Sequence, residues 1–106
     1  MADIKAKLWI EKDSRFILGE GRAELLRHVK ETGSLVKAAK AMEMSYSHAW
    51  SELRDISEAL GVPVIETLRG GRSGGSSKLT EAGEDILNQF EKEKEMLDRH
   101  LAKRNG

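Results

Sequence analysis

Residues 70–79 read GGRSGGSSKL, and four of these ten residues are glycine. Glycine-rich loops let backbone N–H groups approach a phosphate closely, so this stretch could hold a nucleotide, join two domains or form the tip of a surface hairpin. A Walker phosphate loop continues after its second glycine with Lys and then Ser or Thr, whereas two serines follow Gly75. Residues 80–106 predict one helix rather than a second domain. Two alternatives stay open: a hairpin tip without a partner, and a hairpin whose backbone lies beside a phosphate chain with Arg72 supplying positive charge.

The other reactive side chains lack the spacing that catalysis or metal binding requires. His28, His48 and His100 fall on three separate predicted elements, without the HxH or HxxxH spacing of metal ligands. The chain has no cysteine, which excludes disulfides and thiolate metal sites. No serine lies in a GxSxG turn. The sequence therefore predicts no catalytic residue, no metal site and no cofactor, and a protein that is not an enzyme.

Charge is balanced over the whole chain but unevenly distributed along it. The 106 residues include 18 Lys and Arg and 18 Asp and Glu, so the formal net charge is zero. Residues 62–79 carry three basic residues and one acidic residue, whereas residues 80–100 carry seven acidic and three basic residues. A neutral protein can thus have one basic and one acidic face, and such local fields steer charged ligands. The charged N-terminus, and the lack of an apolar run of about 20 residues, predict a cytoplasmic protein that does not cross a membrane.

The N-terminal part of the chain has the alternating pattern of strands. Residues 5–18 predict a β-hairpin with its turn around Lys12, Asp13 and Ser14. Trp9 falls on the more polar side of the first predicted strand. Two alternatives stay open for this side chain: a neighbouring chain covers it, or it packs under a helix.

Apolar residues at helical spacing predict three short helices between residues 22 and 61. The predicted helices span residues 22–32, 35–41 and 46–60. Gly33 fits the C-terminus of the first helix, and Ser34 and Ser45 are typical N-caps for the second and third. These caps indicate that the second and third helices are joined by a short turn.

The third predicted helix has one apolar and one polar face. The apolar stripe consists of Tyr46, Ala49, Trp50, Leu53, Ile56 and Leu60. This stripe predicts Tyr46 and Trp50 in the core rather than at a binding surface. The other face begins with Ser47, His48 and Ser51, short polar side chains that can reach phosphates or base edges.

The last part of the chain predicts a wing and a long helix. Residues 62–79 form a strand, the glycine-rich stretch and a short return strand at Lys78 and Leu79. Thr80 caps a helix over residues 80–103. A heptad-like seam on this helix predicts an interface with a second chain, made by Leu87, Phe90, Leu97 and Leu101.

The order of these elements predicts a mainly α protein with a small β component. Two helices joined by a tight turn and followed by a hairpin form a winged helix-turn-helix. We expect one such domain over residues 1–106, with an N-terminal β-hairpin over 5–18, three helices over 22–61, a wing over 62–79 and a C-terminal dimerisation helix over 80–103.

Three stretches resemble the winged helix-turn-helix of LysR-type regulators. They are residues 38–45, AAKAMEMS, residues 60–63, LGVP, and residues 79–83, LTEAG. Other stretches are similar to a narrower group, the ModE-type molybdate-responsive regulators. These are residues 44–50, MSYSHAW, which resemble the start of that group's recognition helix, the glycine-rich wing before Leu79, and residues 7–11 and 16–26.

The resemblance implies a homodimeric transcriptional regulator that binds double-stranded DNA at an inverted repeat. It implies that the third helix enters the major groove, with Arg54 beside its serines, and that the wing reaches the flanking backbone. The residues expected at the DNA are Ser34, Lys37, Ser45, Ser47, His48, Ser51, Arg54, Arg69, Arg72, Ser73 and Lys78. Ser47 replaces a residue that is usually basic in the group, so we do not carry over its base specificity.

The group's two-domain members carry a molybdate-binding domain after this one. This sequence ends at Gly106, so we expect the regulator to lack that domain. It would then bind DNA constitutively, sense another signal, or work with a separate oxyanion-binding protein. The alternative is a winged-helix protein-interaction module without DNA binding, which the neutral net charge and the acidic last helix favour.

Overall fold

The computed structural model describes residues 2–68 and 76–106. These residues form four helices and two antiparallel hairpins, which confirms the predicted winged helix-turn-helix fold. In chain order the elements are β1 (Ile10–Lys12), β2 (Arg15–Leu18), α1 (Glu20–Thr32), α2 (Leu35–Ala41), α3 (Tyr46–Leu60), β3 (Ile65–Leu68), β4 (Ser76–Leu79) and α4 (Glu81–Asn105).

The N-terminal hairpin is shorter than predicted. Strands β1 and β2 pair through a turn in which Asp13 and Ser14 both have positive φ, 51° and 65°, as a tight two-residue hairpin turn requires. Regular pairing stops at a register shift between Ile10 and Glu11, so residues 5–9 are not strand. The segment before β1 is instead tied to the far end of the chain, because the backbone N–H and C=O of Ile4 both bond to the Asn105 side chain at 2.9 Å.

The predicted caps define the helix ends. The hydroxyls of Ser34 and Ser45 accept the N–H groups of Lys37 and His48 at 3.1 Å, so α2 and α3 begin where predicted. Helix α1 ends at Gly33 and α3 ends at Gly61, each in the left-handed conformation. The start of α1 differs from the prediction, because the helix begins at Glu20 rather than at residue 22.

The hydrophobic core lies between the helices and the bases of both hairpins. Helix α1 contributes Ala23, Leu25, Leu26 and Val29, and α3 contributes Ala49, Leu53 and Ile56. The prediction that Tyr46 and Trp50 belong to this core is wrong, since both side chains are exposed. Trp50 follows Ala49 directly and is therefore turned by about 100° around the helix axis, away from the buried stripe.

The strands β3 and β4 of the wing are fixed to the helical part by hydrogen bonds at their bases. They pair in register from Ile65–Leu79 to Leu68–Ser76. The backbone N–H of Ser77 donates to the carbonyl of Gly33 at 2.9 Å, and that of Thr80 donates to the carbonyl of Val64 at 3.0 Å. The wing strands are thereby held beside the turn that connects α1 to α2.

Helix α4 begins in the core and then leaves it. Thr80 caps it through the N–H of Gly83 at 3.1 Å, and Lys30 of α1 pairs with Glu84 at 2.9 Å. This bond raises the pKa of the Lys30 ammonium above its usual value. Among the described residues of α4, the buried ones are Gly83, Ile86, Leu87 and Phe90, so the helix after Phe90 projects beyond the core.

This burial corrects part of the predicted dimer interface. Leu87 and Phe90 are fully buried in the core of their own chain and leave no surface for a second one. Leu97 and Leu101 lie farther along the helix and are half-buried. We therefore assign Leu87 and Phe90 to the core and keep Leu97 and Leu101 as candidate interface residues.

Candidate nucleic-acid interface

Helix α2, helix α3 and the two wing strands border one groove of about 280 Å³. We call it the α3–wing groove. Its walls include Val36, Tyr46, Trp50, Thr67, Leu68 and Ser76. Three parts of the chain that are distant in sequence thus meet at one surface, next to the polar face of α3.

The outward face of α3 carries the polar residues that the sequence predicted at DNA. Ser47, Ser51 and Arg54 lie three to four residues apart and therefore share one side of the helix. Ser47 and Arg54 are exposed, and Ser51 is half-buried, with its hydroxyl 3.3 Å from the Arg54 guanidinium. The first turn of α3 contains no acidic residue of its own, and the positive end of a helix dipole attracts a phosphate.

Arg54 is surrounded by both aromatic and acidic groups. Its guanidinium lies 5.5 Å from the centre of the Trp50 ring, within the range of a cation–π interaction. It also lies 3.6 Å from Asp55 and 3.9 Å from Glu58. Because these ion pairs are exposed, each contributes little to stability, and Arg54 can exchange them for a phosphate or a base.

The opposite flank of α3 is held by Arg22 of α1. The Arg22 guanidinium bonds to the Glu52 carboxylate, lies 3.7 Å from Asp55 and donates to the carbonyl of Ile17 at 2.7 Å. Glu52 also pairs with His48 at 3.4 Å, which orients this exposed imidazole at the start of the helix. Arg22 therefore anchors α3 and offsets the negative charge of two carboxylates beside the predicted DNA surface.

The structure brings together some of the predicted DNA contacts and leaves others outside. Ser34 and Ser45 are engaged as helix caps, and each keeps a hydroxyl proton to donate. Lys37 is exposed on α2. Lys78 is exposed on β4, with its ammonium 3.6 Å from Glu66. Arg69, Arg72 and Ser73 lie outside the described residues.

Exposed apolar side chains in the α3–wing groove were missed by the sequence prediction. Val36, Tyr46, Trp50 and Leu68 are 49%, 48%, 44% and 44% exposed. On α3 the buried residues are Ala49, Leu53 and Ile56, a narrower stripe than predicted, and this leaves Tyr46 and Trp50 outside the core. The aromatic side chains of α3 therefore belong to its exposed surface.

In residues 2–68 and 76–106, no group of three or more His, Asp or Glu side chains is arranged to hold a metal ion. None of the helices within these ranges has the length and apolar character needed to cross a bilayer.

The helices and the wing are similar to parts of known bacterial proteins. The family described as bacterial regulatory helix-turn-helix protein, lysR family, matches residues 22–84, which include most of α1, all of α2 and α3, and the wing. The molybdenum-pterin-binding protein MopB of Rhodobacter capsulatus is 36% identical over 70 residues, 66% of this chain and 26% of MopB. The transcriptional regulator ModE of Haemophilus influenzae is 29% identical over 91 residues, 86% of this chain and 36% of ModE.

Solved structures show the same fold. The CbnR DBD–DNA complex superimposes with a TM-score of 0.59 and 26% identity, covering 76% of this chain and 88% of that one. The BenM DBD/catB site 1 DNA complex has a TM-score of 0.59 and 23% identity, covering 80% of this chain and 90% of that one. The curated relatives named above are longer, and this chain spans about a quarter to a third of their length.

Proposed function

Because this chain belongs to the lysR family of bacterial regulatory helix-turn-helix proteins, we propose that it regulates transcription as a homodimer that binds double-stranded DNA. A regulator of this kind acts on the chromosome, so we also propose a cytoplasmic location. The observation that carries the proposal is the outward face of α3, where Ser47 and Arg54 are exposed and Ser51 is half-buried.

In this proposal α3 enters the major groove. A B-form major groove is about 12 Å wide and admits one α-helix. The first turn of α3 carries Ser45, Ser47 and His48 and no carboxylate, so its N–H groups and side chains suit a phosphate or a base edge. Arg54, two turns further on, is long enough to leave Glu58 and reach the DNA.

Basic side chains on both sides of α3 are proposed to contact the DNA backbone. Lys37 lies on α2, and Lys78 lies on β4, on either side of the α3–wing groove. We add Ser34 and the wing residues Arg69, Arg72 and Ser73 to this set on the basis of sequence alone. Contacts of this kind release counterions and make affinity depend on salt without selecting a sequence.

The dimer is proposed to form through the projecting part of α4. Leu97 and Leu101 lie four residues apart and share one face of the helix beyond the core. A two-fold interface places two copies of α3 in opposite orientations, so the operator would be an inverted repeat.

A separate oxyanion-binding protein is a further proposed partner. Its basis is the similarity to MopB, which is named for binding molybdenum-pterin. A second protein that changes the DNA affinity of this chain only when molybdate is present would support this partner. A second protein whose effect is the same without molybdate would contradict it.

Measuring DNA affinity against salt concentration tests the proposal at the wing. Arg72→Ala should weaken binding to every duplex, specific or not. It should also make the negative slope of log affinity against log salt shallower by about one. The matched control is Arg104→Ala, in the last turn of α4, which should leave the slope unchanged. If the slope for Arg72→Ala equals that of the unmodified protein, the wing does not contact the DNA.

The acidic residues of α4 favour one alternative, a module that binds protein and not DNA. Residues 80–100 carry seven acidic and three basic residues, a net charge of −4. The two functions differ in one measurement at low salt. A stable protein partner together with no affinity for any duplex would establish the alternative.

A further inference from the structure

The exposed aromatic side chains of the α3–wing groove carry an inference that rests on the proposed function and goes beyond it. Tyr46 and Trp50 are four residues apart on α3, so their side chains lie on one side of the helix about 6 Å apart along its axis. About half of each side chain is exposed, and Val36 and Leu68 continue the apolar surface on either side. Contiguous exposed apolar surface of this kind marks a contact site.

Helix α3 is poor in the side chains that usually distinguish bases. It contains no Asn or Gln, the residues that bind adenine through two hydrogen bonds, and its single Arg is shared with carboxylates. Its serines bond to many partners and discriminate weakly. If α3 selects a DNA sequence, contacts other than hydrogen bonds from these side chains must therefore help to distinguish the bases.

Thymine supplies a matching group. It is the base that presents a methyl group in the major groove, and this methyl is recognised by apolar contact. The α3–wing groove combines apolar side chains with basic ones around it, Lys37, Arg54 and Lys78. A partner that combines negative charge with projecting methyl groups, such as thymine-containing duplex DNA, fits this combination.

We propose that Tyr46 and Trp50 are specificity-determining residues that contact thymine methyl groups in the major groove. Trp50 provides the larger apolar surface and holds Arg54 beside it at 5.5 Å, so that one turn of α3 offers a methyl contact and a positive charge together. Tyr46, one turn closer to the start of α3, contacts a neighbouring thymine.

Replacing thymine by deoxyuridine tests this proposal, because it removes only the methyl group. Duplexes are first selected from a random-sequence pool with the unmodified protein, and each thymine of the selected site is then replaced in turn. Affinity should fall about fourfold at one or two positions in each half-site, the value of one buried methyl group. This comparison needs no protein variant and so does not depend on a variant that folds.

Variants then assign the methyl contacts to side chains. Trp50→Ala should bind the thymine and deoxyuridine duplexes equally at one position, and Tyr46→Ala should do so at another. Tyr46→Phe keeps the ring and should retain the difference. The matched control is Trp9→Ala, because Trp9 is 50% exposed on the N-terminal segment and its indole N–H bonds to Glu11.

The outcomes separate this proposal from the proposed function. Selected duplexes that bind equally with thymine and deoxyuridine at every position would overturn the methyl contacts and leave DNA binding intact. A methyl effect that survives in both alanine variants would overturn the assignment to Tyr46 and Trp50. Failure to select any duplex, or an apolar protein partner that occupies the groove in place of DNA, would overturn both proposals.

Discussion

Position 83 requires glycine because α4 approaches the backbone before β3 closely there. A Cβ atom built at Gly83 would collide with the carbonyl oxygen of Val64, and that oxygen already accepts the N–H of Thr80. Neither backbone can move without breaking the cap of α4 or the base of the wing. Gly21, in contrast, lies in α1, and apart from the backbone of its own helix and its two neighbours in the chain no atom lies within 4 Å of the position of its Cβ.

This contrast predicts opposite effects of the same substitution. Gly83→Ala should lower the free energy of unfolding by about 1–3 kcal/mol, because the added methyl group overpacks a fixed backbone contact. Gly21→Ala should raise it by up to about 1 kcal/mol, because alanine is a better helix former in open space. Urea unfolding of both variants measures the difference. Equal stability of Gly83→Ala and the unmodified protein would show that α4 can move away from Val64.

Single residues also show which features could be predicted from the sequence and which could not. Ser34, Ser45 and Thr80 could be identified as caps because a cap acts on residues two or three positions away. The bond from Arg22 to Glu52 joins residues 30 positions apart and had no local signal. The exposure of Trp50 could not be deduced from the periodicity of α3, because periodicity gives the direction of a face but not its width.

At the scale of elements, the helix-turn-helix was predictable and the ends of the hairpins were not. Helices α2 and α3 begin at the predicted residues because their caps are local. The first strand is shorter than its alternating pattern, because residues 5–9 do not pair with β2 and the backbone of Ile4 bonds to Asn105 instead. Such a long-range contact competes with strand pairing, and alternation along the sequence does not reveal it.

Helix α4 has two parts with different means of support. Its first part is buried as far as Phe90. Its second part carries ion pairs between residues four apart, Lys94 with Asp98 at 2.8 Å and Arg99 with Glu95 at 2.6 Å, and its end bonds to the backbone of Ile4. Such pairs contribute a few tenths of a kcal/mol each, so a projecting helix of this length gains most from a partner.

The partner predicted for this part is a second copy of the chain. Leu97→Glu should weaken the dimer by on the order of 100-fold or more, because it buries an unpaired charge in the interface. Met96→Glu is the matched control, since Met96 is an exposed apolar residue about 100° around the helix from Leu97. Light scattering at micromolar concentration measures both variants. An unmodified protein that is monomeric there would contradict the proposed dimer.

At the scale of the whole molecule, the net charge of zero is the sum of an acidic excess in α4 and a basic excess in the rest of the chain. Basic residues proposed at DNA lie on three elements, Lys37 on α2, Arg54 on α3 and Lys78 on β4, whereas α4 carries seven acidic and five basic residues. The described residues extend over 56 × 29 × 21 Å, and α4 alone is about 37 Å long. The second part of α4 projects from the domain, while α1 supports α3 through Arg22.

The most direct measurement of the central claim is the DNA affinity of Ser47→Glu. Ser47 is exposed in the first turn of α3, where a carboxylate stabilises a helix, so this variant should remain folded. Gln89→Glu adds the same charge at an exposed position of α4 and serves as the control. If α3 enters the major groove, Ser47→Glu should bind the selected duplex on the order of 100-fold more weakly, since it places a carboxylate against phosphates, while Gln89→Glu should bind almost as well as the unmodified protein. A folded Ser47→Glu variant with undiminished affinity would contradict the assignment of α3 as the DNA-binding helix.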